Sequence, residues 1–245
     1  MTHSTPSHDV QMRYDPFKDE VLSGNEENIH SIHITGSALT ADYDPKRSDI
    51  NSVIVLNTMD LLFLEHLAPL GKKHGKKRIS APLIMTPAYI KSSLDVFPLE
   101  FLNIKLLHHT VYGEDAFSNL NIDLSDLRQQ CEREIKVRLI GLRQGYLSSM
   151  GEPKLLTDSF IRSISGYIPL FRGIILLLRK EPPIRNFGVL TMLQEASGVD
   201  MKVFRLVLEE KKQRTRLGKE HLNILFEASY RTVEKLGELI DDLST

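Results

Sequence analysis

Residues 29–56 constrain the fold of this chain more than any other stretch. Ile29–Thr35 has a strand pattern, Ile32 and Ile34 alternating with His33, and it runs directly into Gly36-Ser37. The polar run from Asp42 to Ser48 follows as a turn, with Pro45 fixing φ and the aspartates able to close Asx turns. A second strand is predicted over Asp49–Leu56, whose Ile and Val residues favour a pleated surface. Side chains on a strand alternate faces, so Asp49, Asn51, Val53 and Val55 share one face. Ile50, Ser52, Ile54 and Leu56 share the other.

The rest of the chain splits into two characters. Residues 1–18 show no periodicity and read as a loose lead-in or irregular arm. Met59–Leu70 has leucines near a 3.6 period and is predicted helical, with Asp60 in its first turn. Gly71–Arg78 (GKKHGKKR) reads as a solvated basic loop. Pro82–Thr86 and Pro98–Leu107 are predicted strands with a short helix, Ala88–Leu94, between them, and Tyr112-Gly113-Glu114-Asp115 marks a turn. From Ile122 onward helix periods dominate. Leu124, Leu127, Cys131, Ile135, Leu139, Leu142 and Tyr146 form one stripe, with Asp123 or Ser125 as its cap. Further helices are predicted over Leu155–Arg179 (interrupted near Gly166 and Pro169), Phe187–Ala196, Met201–Lys212 and the stretch from Leu222 to Ile240. The expectation is an α+β chain: a mixed-sheet domain over 1–118, its core at about 25–115, followed by an all-α bundle of about five helices over 119–245.

Composition excludes several classes of function. With 41% hydrophobic and 26% charged residues the chain is neither disordered nor collagen-like. A formal net charge of −1 gives no global attraction to nucleic acid, and the basic loop lacks interleaved aromatics, so a nucleic-acid partner is not expected. Cys131 is the lone cysteine, which rules out a disulfide framework and fits a reducing cytoplasm. MTHSTPSHDV lacks the order of a signal peptide, and Tyr167–Leu178 is too short to span a bilayer and contains Arg172. Apolar stripes on the bundle helices could serve a homodimer as well as a core.

Two oxygen-bearing side chains at i and i+2 on a strand, facing a Gly-Ser turn, suit transfer of a nucleotidyl group. Such transfer needs Mg²⁺ to neutralise phosphates, and Mg²⁺ takes carboxylates, substrate phosphates and water. Asp49 is the first carboxylate, Asn51 occupies the second position with a neutral amide, and Glu100, on the predicted strand 98–107, is the candidate third. Taken alone, the same residues also fit a solvated strand edge with Asp49 capping a turn. Gly36-Ser37 followed by Ser48-Asp49-Ile50-Asn51 and an apolar strand resembles the DNA-polymerase-β-like nucleotidyltransferase superfamily, over roughly residues 25–115. Its pattern is a Gly-Ser turn, then Asp-x-Asp on the next strand. The helical half is similar to the bundle of the aminoglycoside nucleotidyltransferases. Pro98–Lys105 and Tyr112–Asp115 resemble bacterial members of the group. The resemblance implies a nucleoside triphosphate bound by Gly36, Ser37 and Ser48, and Mg²⁺ held by Asp49, Asn51 and Glu100, with Asp49 and Glu100 catalytic. The acceptor is open. Asn51 makes a catalytically degenerate nucleotide- or partner-binding module the alternative.

Three other groups read as local features. Arg216 and His221 have the Arg-x4-His spacing of a helical ribonuclease family, but Gly218 between them is a poor helix former. His108 and His109 are neighbours on opposite strand faces, expected at the surface. Glu132, Arg133 and Arg143 read as surface or interdomain charges.

Overall fold

The computed structural model describes residues 5–150, 152, 160, 164, 166–213 and 218–243. The chain divides into two compact units, residues 1–95 with 100–122, and residues 96–99 with 123–245.

The first unit is built on a four-stranded mixed sheet. Its elements are α1 (His8–Leu22), β1 (Ile29–Thr35), a 3₁₀ turn (Gly36–Leu39), β2 (Asn51–Leu56), α2 (Leu61–Gly75), β3 (Leu83–Met85) and α3 (Pro87–Ser92), then α4 (Pro98–Leu106) and β4 (His108–Gly113). The strand order is β3-β2-β1-β4, with β1 antiparallel to β2 and β4, and β2 parallel to β3. The period-two reading of residues 49–56 holds. Ile50, Ile54 and Leu56 join one core with α1 and α2, while Val53 and Val55 join another with Ile90, Phe101, Ile104 and Phe117. A bulge between Ile29 and Ser31 turns Ile29 onto the first of these faces, opposite Leu56.

Three expectations for this unit are corrected. Residues 8–22 form α1 rather than an irregular arm. Val10, Tyr14, Phe17 and Val21 recur every three or four residues and are all buried, and the Ser7 hydroxyl accepts from the Val10 N–H. Pro16 and the polar residues around that stripe mask it in the sequence; packing on the sheet supplies what local propensity lacks. Residues 98–106 form α4, not a strand, with Pro98 as its first residue. Leu99 and Phe101 imitate strand alternation, but burial of Leu99 with Leu102, and of Phe101 with Ile104, follows the i,i+3 spacing of a helix. The basic run 71–78 is half helical, since α2 continues to Gly75. His74 is buried against Phe17, with ring centroids 5.4 Å apart, and Lys73 reaches Glu20 at 2.7 Å. Asp60 caps α2 by accepting from the Leu62 N–H.

The second unit contains, among the described residues, the helices α5 (Leu124–Ser148), α6 (Tyr167–Leu177), α7 (Asn186–Ser197), α8 (Lys202–Gln213) and α9 (Lys219–Asp241). Asp123 caps α5 through the N–H groups of Ser125 and Asp126. On the expected α5 stripe Leu127, Cys131, Ile135 and Leu142 are buried, and α5 packs against α6 and α9. Gly173 of α6 lets the helices close, since a Cβ there would stand 2.8 Å from the Cys131 sulfur. Arg172, buried in the same apolar helix, donates to the carbonyls of Pro183 and Ile184 at 3.2 and 2.7 Å. Most of the expected helix over residues 155–166 lies outside the described residues. No helix among the described residues is long and apolar enough to cross a membrane.

Gly113 ends β4 with φ +73°, and a Cβ there would meet the His30 carbonyl oxygen at 2.0 Å. Gly24 has a similar φ of +76° with open space around it. Gly24→Ala should therefore cost about 1–2 kcal/mol, the left-handed penalty alone, and Gly113→Ala at least about 3 kcal/mol. Urea denaturation of both variants beside the wild type measures the difference.

Candidate functional site

The strand-turn-strand stretch places its polar residues at one end of the sheet. Gly36 has φ +75°, a conformation that suits glycine, and its N–H donates to the Leu107 carbonyl at 2.9 Å. A Cβ on Gly36 would lie 3.9 Å from the Asn51 amide nitrogen, so the turn faces the start of β2. Ser37 and Leu39 belong to the short 3₁₀ turn, closed by the Thr40 N–H on the Ser37 carbonyl. Thr35 pairs with Asn51 on one side and with His108 on the other. Opposite residues of antiparallel strands share a face, so Asn51, Thr35 and His108 form one row across three strands.

Asp49 precedes the β2 ladder rather than belonging to it; the ladder begins at Asn51, and Ile50 forms an isolated bridge to Ile79. Burial of Ile50 in the core of α1 and α2 leaves Asp49 and Asn51 on the opposite side of the chain, as the alternation requires. The Asp49 carboxylate lies 3.5 Å from the Arg78 guanidinium, with both side chains substantially exposed. Arg78 has φ +62°, unusual for a residue with a Cβ, and also donates to the carbonyls of Arg47 and Ser48. Ser48 closes its own turn, its hydroxyl accepting from the Asp44 N–H at 3.1 Å. Glu100 is exposed in the first turn of α4, so its expected position on a strand is corrected: β4, from His108, is the strand beside β1.

The same sheet face holds a buried cluster that the sequence reading missed. His33 of β1 and His108 of β4 are both buried, with ring centroids 5.8 Å apart and Phe117 edge-on to each. His33 Nε2 lies 2.8 Å from the Ser31 hydroxyl and Nδ1 lies 3.0 Å from that of Thr110. His108 Nδ1 meets the Ile104 carbonyl at 2.9 Å, and Nε2 meets Asp115 Oδ1 at 2.9 Å. Asp115 Oδ1 also accepts from the N–H groups of Phe117 and Ser118. His109 is on the opposite face, as expected, but His108 is interior rather than at the surface. Ser31, His33 and Thr35 at period two were the available signal: a polar row on a strand whose other row is Ile32 and Ile34.

Burial, reinforced by the neighbouring His108, pushes the His33 imidazole down to about 4. Partial burial works to raise the Asp115 carboxyl, but hydrogen bonds from Ser118 and from the Phe117 and Ser118 N–H groups outweigh it and hold that carboxyl well below its usual range.

The remaining groups have local roles. Glu132 pairs with Arg128 at 3.3 Å and with Lys136, and Arg143 lies over the Tyr230 ring at 5.3 Å while donating to its hydroxyl. Gly218 is the N-cap of α9, so the Arg-x4-His spacing straddles a helix start; Arg216 lies outside the described residues.

No protein-family model matches the chain, and no curated protein sequence matches it. A solved structure does: the crystal structure of spectinomycin adenyltransferase from Enterococcus faecialis with ATP and spectinomycin. The match covers 91% of this chain and 99% of that one, with a TM-score of 0.52 and 13% identity. The fold is that of a nucleotidyltransferase. The match covers residues of both units, a mixed sheet followed by helices in the order expected from the sequence.

The displaced pKa of His33 gives a pH dependence of definite sign. An unfolded histidine takes up a proton below about pH 6.5, whereas folded His33 does so only near 4. Its contribution is therefore intact above pH 6.5 and is lost as pH falls toward 4, up to about 3 kcal/mol in all. Urea denaturation in EDTA at pH 7 and pH 4.5 should show this loss in the wild type and a much smaller one in His33→Gln.

Proposed function

We propose that this chain binds a nucleoside triphosphate at Gly36-Ser37 and transfers its nucleoside monophosphate to an acceptor, releasing pyrophosphate. The observation that carries the reading is the left-handed Gly36 turn facing Asn51, with 3.9 Å left between the amide and the place of a Cβ. A side chain there would be strained by the positive φ and would fill the gap between the turn and β2 that a phosphate oxygen would need. Ser37 supplies a hydroxyl, and Ser48 supplies another whose oxygen closes the turn and whose O–H can donate. ATP, present in the solved neighbour, is the first triphosphate to test.

The donor set fits one Mg²⁺ shared with the triphosphate and does not fit two. A single ion is satisfied by one carboxylate, Asp49, the amide oxygen of Asn51, phosphate oxygens and water. When bound, such an ion neutralises the phosphates and orients the attack. The Asp49–Arg78 pair does not prevent this, because both side chains are exposed, and a solvent-screened pair is worth less than about 1 kcal/mol. Arg78, whose guanidinium lies 3.5 Å from Asp49, is the cation that would pair with a triphosphate oxygen if Asp49 turned toward a metal. In the transfer, the acceptor oxygen forms a bond to the α-phosphorus as the bond to the β-phosphate bridging oxygen breaks. The acceptor proton passes to a carboxylate, for which Asp49 and Glu100 are the candidates.

A second reading is favoured by one observation. With Asn51 neutral and Asp49 paired to Arg78, the strand end carries little net negative charge to hold a metal. A module that binds nucleotide or a protein partner without turnover then fits. Thermal shift with each Mg²⁺-triphosphate, followed by pyrophosphate assays, separates the readings. Transfer predicts a rise in Tm of at least about 3 °C, its loss in Ser37→Ala, and pyrophosphate release abolished by Asp49→Asn. Binding without pyrophosphate supports the second reading, and Asn51→Asp should then tighten Mg²⁺ binding about tenfold or more. No shift with any triphosphate removes the transferase and the nucleotide-binding module, leaving the partner-binding form of the second reading.

A further inference from the structure

His33, His108 and Asp115 come from two strands and the turn after them, and their nearest nitrogen and oxygen atoms all lie within 4.8 Å of one another. We propose that they bind one divalent transition ion of the zinc type, with a donor set separate from that of Asp49 and Asn51.

The geometry of His108 carries the argument. Its Nδ1 lies 2.9 Å from the Ile104 carbonyl and 3.1 Å from that of Lys105. Carbonyl oxygens only accept, so Nδ1 carries the hydrogen and Nε2 is the nitrogen turned toward Asp115. An imidazole held by its second nitrogen on a backbone carbonyl is the arrangement that fixes the tautomer of metal-ligating histidines. Nε2 lies 2.9 Å from Asp115 Oδ1 and 3.5 Å from the Ser118 hydroxyl, so a nitrogen and a carboxylate oxygen converge where a cation can lie between or beside them. A proton would satisfy those two atoms alone. A metal ion also uses His33, buried on the same sheet face, whose two ring nitrogens both meet hydroxyls; one contact would give way to the ion while the other, to Ser31 or Thr110, holds the ring.

The spacing fits the ion. Around a tetrahedral centre with bonds of roughly 2.0–2.1 Å, ligand atoms stand about 3.3 Å apart, so the cluster needs only small side-chain rotations to close. Two imidazoles and one carboxylate select zinc-like ions over Mg²⁺ and Ca²⁺, which prefer all-oxygen shells. Phe117 covers the histidine side, while the Asp115 side chain, 36% exposed, leaves a path for entry and for water as fourth ligand. Asp115 is itself held by Phe117 and Ser118, so the carboxylate is pre-positioned. The ion would join β1 to β4 and the 115–118 turn that directly follows β4, and β1 lies far from both along the chain.

The test uses the full chain stripped with EDTA and dialysed. Zn²⁺ titrated by calorimetry should bind one ion per chain, and saturating Zn²⁺ should raise Tm by at least about 3 °C. Co²⁺ in its place should give the visible absorption of a tetrahedral ion with nitrogen and oxygen ligands. Asp115→Asn and His33→Gln should each weaken binding at least about tenfold and remove the cobalt band. Asp49→Asn should leave both unchanged, which keeps this result distinct from that of the triphosphate site. If Asp115→Asn folds poorly, His33→Gln and the wild-type cobalt spectrum carry the test. The proposal is overturned if wild type shows no stoichiometric ion, if binding survives in the ligand variants, or if Asp49→Asn is the variant that abolishes it.

Discussion

The pairing of β1 on both edges is the interaction on which the first unit depends. Every backbone polar group of a central strand must be met by a neighbour, and β1 meets β2 on one side and β4 on the other. Alternation along it then separates two environments. Ile32 and Ile34 enter the core with α1 and α2, while Ser31, His33 and Thr35 face the layer containing Phe101, Ile104 and Phe117. A polar row buried in an apolar layer is tolerated only if its members find partners. Ser31, Thr110, His108 and Asp115 are those partners for His33 and its neighbours. The same row continues through Thr35 to Asn51, so the buried cluster and the Gly36 turn lie along one sheet face.

Charge at the end of β2 is the second governing feature. A two-ion transfer site concentrates carboxylates, which is costly without metal because like charges repel. Here the strand presents one carboxylate and one amide, and Arg78 compensates the carboxylate from a left-handed backbone position. Such strain at a chain position whose side chain also holds two carbonyls marks a spot set by its surroundings rather than by local preference. Any cation held by Asp49 would displace or share its ion pair with Arg78.

Legibility from the sequence followed the strength of the local pattern. Residues 29–56 were readable because β-branched alternation, a Gly-Ser turn and a Pro-containing turn agree with one another. The helical half was readable because its stripes are long, and α5 buries Leu127, Cys131, Ile135 and Leu142 as the spacing requires. Short apolar runs were not: residues 98–106 satisfy both periods, and their helical state moved Glu100 off the sheet. In α1, Pro16 obscured a stripe that only the sheet makes worth forming. For His108, strand alternation correctly separated it from His109 but could not say which face was covered.

By itself the sequence determined the strand-turn-strand order, the division into a mixed α/β part and a helical part, and the neutral amide at Asn51, because each is a matter of local pattern or residue identity. The tertiary structure decided which faces are buried and which distant residues meet. Asp49 found Arg78, and His33 found His108 and Asp115, through pairings between segments 29 to 82 positions apart. The physical reason is that side-chain period is a property of a segment, whereas a site is made by the register between segments, and register is set by the packing of the whole sheet.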